Sequence, residues 1–182
     1  KTAFNKYLQA YPNGVFASDT HFYLGDMAFE AKDFDKALTH FNEVINSNNP
    51  KYIANALVFA SGIEFDRKNY EAAYAAYEHL NMVASNTENK DIAQLGMLRC
   101  AYLLKKDNEV VAAASKILQG AKAAPAVANE ARFYRGKSYI NLKKNDEAAT
   151  DLQAVAKDTR SAFGAEAQFL LADMYYKWKS YD

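Results

Sequence analysis

The 182-residue chain has few of the residues that interrupt helices, with only seven glycines and three prolines, about half the usual share. That leaves little room for the many tight turns of a β-sandwich or barrel and favours helices. Its single cysteine, Cys100, excludes an internal disulfide and a cysteine-built metal cluster. There is no excess of charge, because 22 basic and 22 acidic side chains cancel, and with them goes the long-range field that gathers nucleic acid or an anionic membrane. No apolar run approaches the ~20 residues that cross a bilayer. What the chain does have is apolar and aromatic residues, 50% and 14% of the total, a composition that folds. It opens on Lys1, which leaves room for an upstream signal peptide or lipid anchor, so the compartment stays unread.

Self-similarity at a fixed period organises the rest. Tyr23-Leu24-Gly25, Asp33-Phe34-Asp35-Lys36-Ala37-Leu38 and Phe41 recur in outline as Ser61, Asn69-Tyr70-Glu71-Ala72-Ala73-Tyr74 and Tyr77. Further copies run from Leu98 through Asn108-Glu109-Val110-Val111 to Ser115, and from Gly136 through Asn145-Asp146-Glu147-Ala148 to Leu152. Apolar residues at three-and-four spacing predict two helices, A then B, in each copy. In the first, Phe22, Leu24, Met27 and Ala28 belong to A, and Phe34, Ala37, Leu38, Phe41 and Val44 to B. The spacing predicts one array, with residues 1–14 the second helix of a preceding repeat. Repeats then follow over 15–50, 51–88, 89–125 and 126–161, and 162–182 is the first helix of a further one. A four-helix bundle would show similar periodicity but does not require the same residue column every 36 to 38 positions.

These columns resemble the tetratricopeptide repeat. Leu24-Gly25, Ala37, Phe41 and Pro50 stand in its packing positions, and Gly136, Tyr139 and Ala148 match in the fourth copy. Arg99 and Arg135 occupy columns that are normally small or Leu, and Glu64 one that is usually Tyr. The resemblance implies an all-α solenoid, a right-handed superhelix of antiparallel helix pairs, acting as a non-catalytic protein-interaction scaffold. Repeat length and the run Ala10-Tyr11-Pro12-Asn13-Gly14-Val15-Phe16-Ala17 look like the bacterial cell-envelope subgroup, which includes the Tol-Pal-associated periplasmic protein and the BamD lipoprotein. That likeness implies a periplasmic or outer-membrane-associated setting, with the cytoplasm as the alternative.

Catalytic patterns are not met. His21, His40 and His79 are not at ligand spacing, and Cys100 has no sequence partner, so no catalytic residue, metal or cofactor is expected. His40 and Glu43, one turn apart, read as solvated helix surface in preference to a base and its orienter. Gly25, Gly62, Gly96 and Gly136 recur inside helices without forming a phosphate loop and read as packing glycines. Lys105-Lys106 and Lys143-Lys144 close two A helices, where cations complement the dipole.

The face that A helices turn inward in tetratricopeptide arrays carries the binding expectation. The candidate residues are Phe22, Tyr23, Asp26, Phe59, Met97, Phe133, Tyr134, Lys137, Phe169 and Leu170. The resemblance implies a concave groove holding an apolar or aromatic peptide or helix. The carboxylate clamp of some family members is not expected, since Phe22, Val58, Gly96 and Phe133 replace its Lys. The alternatives are an assembly subunit of an envelope complex, binding through its convex face or ends, and a regulatory arm of a larger enzyme. No nucleic acid or membrane span is expected. Two further expectations concern packing: Arg99 and Ser115 weaken the third repeat, and Tyr175, Tyr176, Trp178 and Tyr181 leave an apolar C-terminal end open to self-association.

Overall fold

The structure, a computed structural model, describes residues 2–120 and 123–179. Among the described residues there are ten helices and no strand: α1 (Thr2–Ala10), α2 (Ala17–Glu30), α3 (Phe34–Asn46), α4 (Ile53–Asp66), α5 (Tyr70–Val83), α6 (Thr87–Leu103), α7 (Asp107–Gln119), α8 (Pro125–Asn141), α9 (Asn145–Ala156) and α10 (Ala162–Lys179). The fold is therefore all-α, as the periodicity predicts. The helices fall into two compact units, residues 1–97 and 98–182.

The turn that closes each A helix is built identically four times. Lys32, Lys68, Lys105 and Lys143 all have left-handed backbone, with φ of 59°, 64°, 57° and 60°. At the first, the Lys32 amide donates to the Phe29 carbonyl and the Asp33 amide to that of Ala28, both at 2.9 Å. This is the Schellman arrangement, which satisfies carbonyls the helix leaves orphaned. The same two bonds recur after α4, α6 and α8. A non-glycine residue in this conformation costs roughly 1–2 kcal/mol. The closing hydrogen bonds and a cation at the negative end of the helix dipole offset that strain. Glycine is the usual residue here, which is why the sequence reads as an ordinary polar turn. Asp33 then caps α3 by accepting the Lys36 amide at 3.3 Å.

In the first unit the core is centred on Phe41, which is fully buried and stacks on Phe59 at 4.9 Å with the rings nearly parallel. Gly25 makes this possible, since a Cβ there would lie 2.8 Å from the Phe41 ring. Gly96 stands equally close to Tyr77. In the second unit Gly136 admits Leu152, which is fully buried. Gly62 corrects the sequence reading: a Cβ there meets nothing within 4 Å, so it is not a packing glycine. The column that needs a small residue in α4 falls one position earlier, on the fully buried Ser61.

Candidate functional site

The A-helix residues singled out by sequence form one patch in each unit. In the first, α2 carries Phe22 and Tyr23. Phe22 stacks on Tyr52 at 4.6 Å, and Tyr23 meets Tyr52 edge-on at 6.2 Å while stacking on Phe4 of α1 at 5.9 Å. Tyr52 is anchored by its hydroxyl, which donates to Asp19 Oδ1 at 2.5 Å, and Lys51 Nζ donates to the same oxygen at 2.7 Å. Those two donors hold the Asp19 carboxyl below its ordinary pKa. Tyr23 remains 44% exposed. Asp26 and Met97 are half-buried.

The second unit repeats the ring geometry. Phe133 and Tyr134 of α8 meet Phe163 of α10 at 4.9 and 5.9 Å, and Tyr134 stacks on Tyr102 at 4.3 Å. Burial, reinforced by Glu130, raises the Tyr134 pKa, so the phenol stays neutral. Lys137 Nζ lies 5.2 Å from the Phe133 ring centroid and donates to Glu166 Oε1 at 2.8 Å. Burial works against its charge, but Glu166 and Tyr102 outweigh it and keep the pKa above the ordinary lysine value. Beside them Arg99 forks onto Glu130 at 2.6 and 2.8 Å.

The ten candidate residues differ in burial within each unit. Phe133 is 2% exposed and is core, and Phe59 is spent on Phe41. Phe22 and Leu170 are partly buried against the two cores. Phe169, by contrast, is 72% exposed. Tyr23, Tyr134 and Lys137 keep surface within their patches. The arginines in unusual columns make ion pairs. Arg135 Nε and Nη2 donate to both Asp151 oxygens at 2.6 and 2.8 Å, and Nη1 donates to Ser115 Oγ at 2.9 Å. Ser115 therefore gives α7 a polar anchor in place of a missing ring. Of the C-terminal aromatics, Tyr175 and Tyr176 are exposed; the Trp178 side chain and Tyr181 lie outside the described residues.

One pairing was invisible to spacing rules. His21 of α2 and His40 of α3 approach with their Nδ1 atoms 3.1 Å apart, one donating to the other. His21 adjoins a shallow cavity of about 260 Å³ lined by Pro12, Val15, Ser18 and Glu43 among others. His40 is thus not the solvated side chain the sequence implies. Burial lowers the His21 pKa below its ordinary 6.5, with Glu43 opposing. The unfolded chain then binds a proton more readily than the folded one, so stability present above pH 6.5 is lost as the pH falls below it. Thermal melts of the wild type should show a lower midpoint at pH 5.5 than at pH 7.5, with a smaller difference in His21→Gln. Equal differences in the two proteins would refute a role for His21. Cys100 is buried and desolvation pushes its thiol up to about 11, so it is protonated and inert. Among the described residues no group of three or more His, Cys, Asp or Glu is placed to hold a metal ion, and no helix is long and apolar enough to cross a membrane.

Comparison with known proteins agrees with the fold. Residues 19–50 and 130–158 match the family model of the tetratricopeptide repeat. No curated protein matches the sequence. Among solved structures, the crystal structure of MamA protein superposes with a TM-score of 0.63 at 14% identity, covering 89% of this chain and 88% of that one. At that identity the likeness is one of fold. The two matched segments are the α2/α3 and α8/α9 pairs in which Gly25 admits Phe41 and Gly136 admits Leu152, so sequence match and packing column agree that these two helix pairs are of the tetratricopeptide-repeat type.

Proposed function

We propose that this protein binds an apolar or aromatic segment of a protein partner on the A-helix patches around Tyr23 and Tyr134. Tetratricopeptide-repeat proteins are generally non-catalytic protein-interaction scaffolds, and the chain shares that general role. The finer reading rests chiefly on one observation: the charges bordering the patches are already paired within the protein, Asp19 with Lys51, Arg99 with Glu130 and Lys137 with Glu166. Their fields cancel at short range, and apolar surface with a phenol edge is what remains to offer a ligand.

Peptides selected against the chain from a display library should be rich in apolar and aromatic residues. Their affinity should change little between low and high salt. Tyr23→Ala should weaken them about thirtyfold, the ~2 kcal/mol of an interface anchor, with little change in melting temperature because Tyr23 is 44% exposed. Tyr134→Ala should weaken them similarly but also lower stability, since that ring is stacked and half-buried. Binding that falls steeply with salt, or survives both replacements, defeats this reading.

The loop style of residues 10–17 favours a setting among bacterial envelope proteins.

A further inference from the structure

Two imidazoles meet where α2 packs on α3 in the first unit. His21 and His40 are both half-buried, with their Nδ1 atoms 3.1 Å apart and their ring centroids 5.3 Å apart. Helix packing does not require them. Thirty-six positions later the same columns hold Leu57, 1% exposed, and Ala76 in the α4/α5 pair, so apolar side chains close this position elsewhere in the same unit. Placing two polar rings in an apolar column costs desolvation, and the α4/α5 pair shows that a helix hairpin forms here without them.

The separation of the two nitrogens is that of two ligands on one metal ion. Nitrogens bound about 2.0–2.1 Å from a tetrahedral ion stand about 3.3–3.4 Å apart, and those at the right angle of a square-planar ion about 2.9 Å. The 3.1 Å between His21 and His40 falls between these. One Nδ1 now carries the hydrogen that the other accepts. Moving that hydrogen to the Nε2 of its own ring frees both Nδ1 lone pairs with no net gain or loss of a proton. Burial holds the His21 pKa below its ordinary 6.5, which favours the neutral ring a metal needs. The cavity of about 260 Å³ that His21 adjoins also has Ser18, Glu43 and Ser47 in its wall, and it has room for several waters at ~30 Å³ each. Glu43 acts on His21 through its charge, in the direction that favours a cation there. Among the described residues no group of three or more His, Cys, Asp or Glu makes a complete ligand set, so the positions beyond the two nitrogens fall to water from the cavity.

We infer that His21 and His40 chelate a divalent transition-metal ion through their Nδ1 atoms, with water in the remaining positions and the Glu43 carboxylate alongside. Imidazole nitrogen suits Zn²⁺ and Cu²⁺, whereas Ca²⁺ and Mg²⁺ take oxygen ligands. The ion bridges α2 and α3 and binds the folded pair better than the unfolded chain, so it stabilises the fold by mass action. The site uses no residue of the Tyr23 or Tyr134 patches and stands whether or not those patches bind a peptide.

Calorimetric titration of the 182-residue chain with Zn²⁺ at pH 7.5 tests it. One ion should bind per chain, displaceable by Cu²⁺ and indifferent to excess Mg²⁺, and it should raise the melting temperature. His21→Gln and His40→Gln should each weaken binding at least about tenfold, the lower bound for losing a group that only orients a metal's ligands, and abolish the rise in melting temperature. Melts in the presence of a chelator establish that both variants fold. His79→Gln on α5 should bind as the wild type does, and Glu43→Gln should lose less than either of the other two. Electron paramagnetic resonance of the Cu²⁺-loaded wild type should show two coordinating nitrogens, a readout that needs no variant. A wild type that binds no Zn²⁺ overturns the proposal, as does a spectrum with fewer than two nitrogens. So does binding that persists in His21→Gln or His40→Gln, binding lost with His79, or a larger loss in Glu43→Gln, which would place the ion on the carboxylate.

Discussion

Replacing Arg135 with alanine is expected to cost about 3–5 kcal/mol, the largest loss from any single polar change in the second unit. Asp151 is 4% exposed and takes both its hydrogen bonds from this guanidinium. Without them a carboxylate is left in a low-dielectric site with nothing to offset its lost hydration. Ser115 loses a donor in the same step. The arrangement ties α7, α8 and α9 together, so the loss should appear as a lowered denaturation midpoint and as faster hydrogen exchange in those helices. The double variant Arg135→Leu, Asp151→Leu separates the value of the pair from the cost of breaking it. Removing both charges should recover most of the stability or exceed it, since apolar packing of similar volume replaces a pair that is expensive to desolvate. If Arg135→Ala unfolds within 1 kcal/mol of wild type by chemical denaturation, Asp151 is not dependent on it and the account is wrong.

The glycines give an expectation of opposite signs within one column family. Gly25→Ala and Gly96→Ala should each destabilise by about 1–3 kcal/mol. The added methyl would lie 2.8 Å from the Phe41 ring in the first case and 2.5 Å from the Tyr77 ring in the second. Neither ring has room to retreat, because Phe41 is fully buried and Tyr77 is 9% exposed. Gly62→Ala should instead stabilise by about 1 kcal/mol, the helix propensity gained when a methyl enters open space. Denaturant melts of the three variants with unchanged slope would establish this. A destabilised Gly62→Ala, or a neutral Gly25→Ala, would show that repeat position and not local space sets the requirement.

How far the sequence could be read depended on the range of the interaction. Helices α2 to α9 were legible because an apolar stripe repeats every three to four residues and must face a partner. The A/B turns were legible as turns, yet their left-handed lysines were not, because a Schellman closure depends on backbone bonds that glycine marks in most proteins and lysine does not. Gly25, Gly96 and Gly136 were read correctly from their columns. Gly62 was misread because it lies one residue from the buried position, held by Ser61.

For the candidate site the residue types were visible and their roles were not. Periodicity alone assigns Phe22, Phe59, Phe133 and Phe169 to A helices, but Phe133 is core, packed on Phe163, and Phe169 is exposed. The Arg135 pairing with Asp151 and Ser115 and the His21–His40 contact join side chains 16 to 20 residues apart in sequence, and no local pattern encodes them. The sequence by itself determined the all-α class, the helix pairs and the balance of charge, because these follow from composition and short-range periodicity. Only the tertiary structure decided which rings are spent on packing, which charges cancel and which surfaces stay open, because each of those depends on what the neighbouring helix brings to the same place.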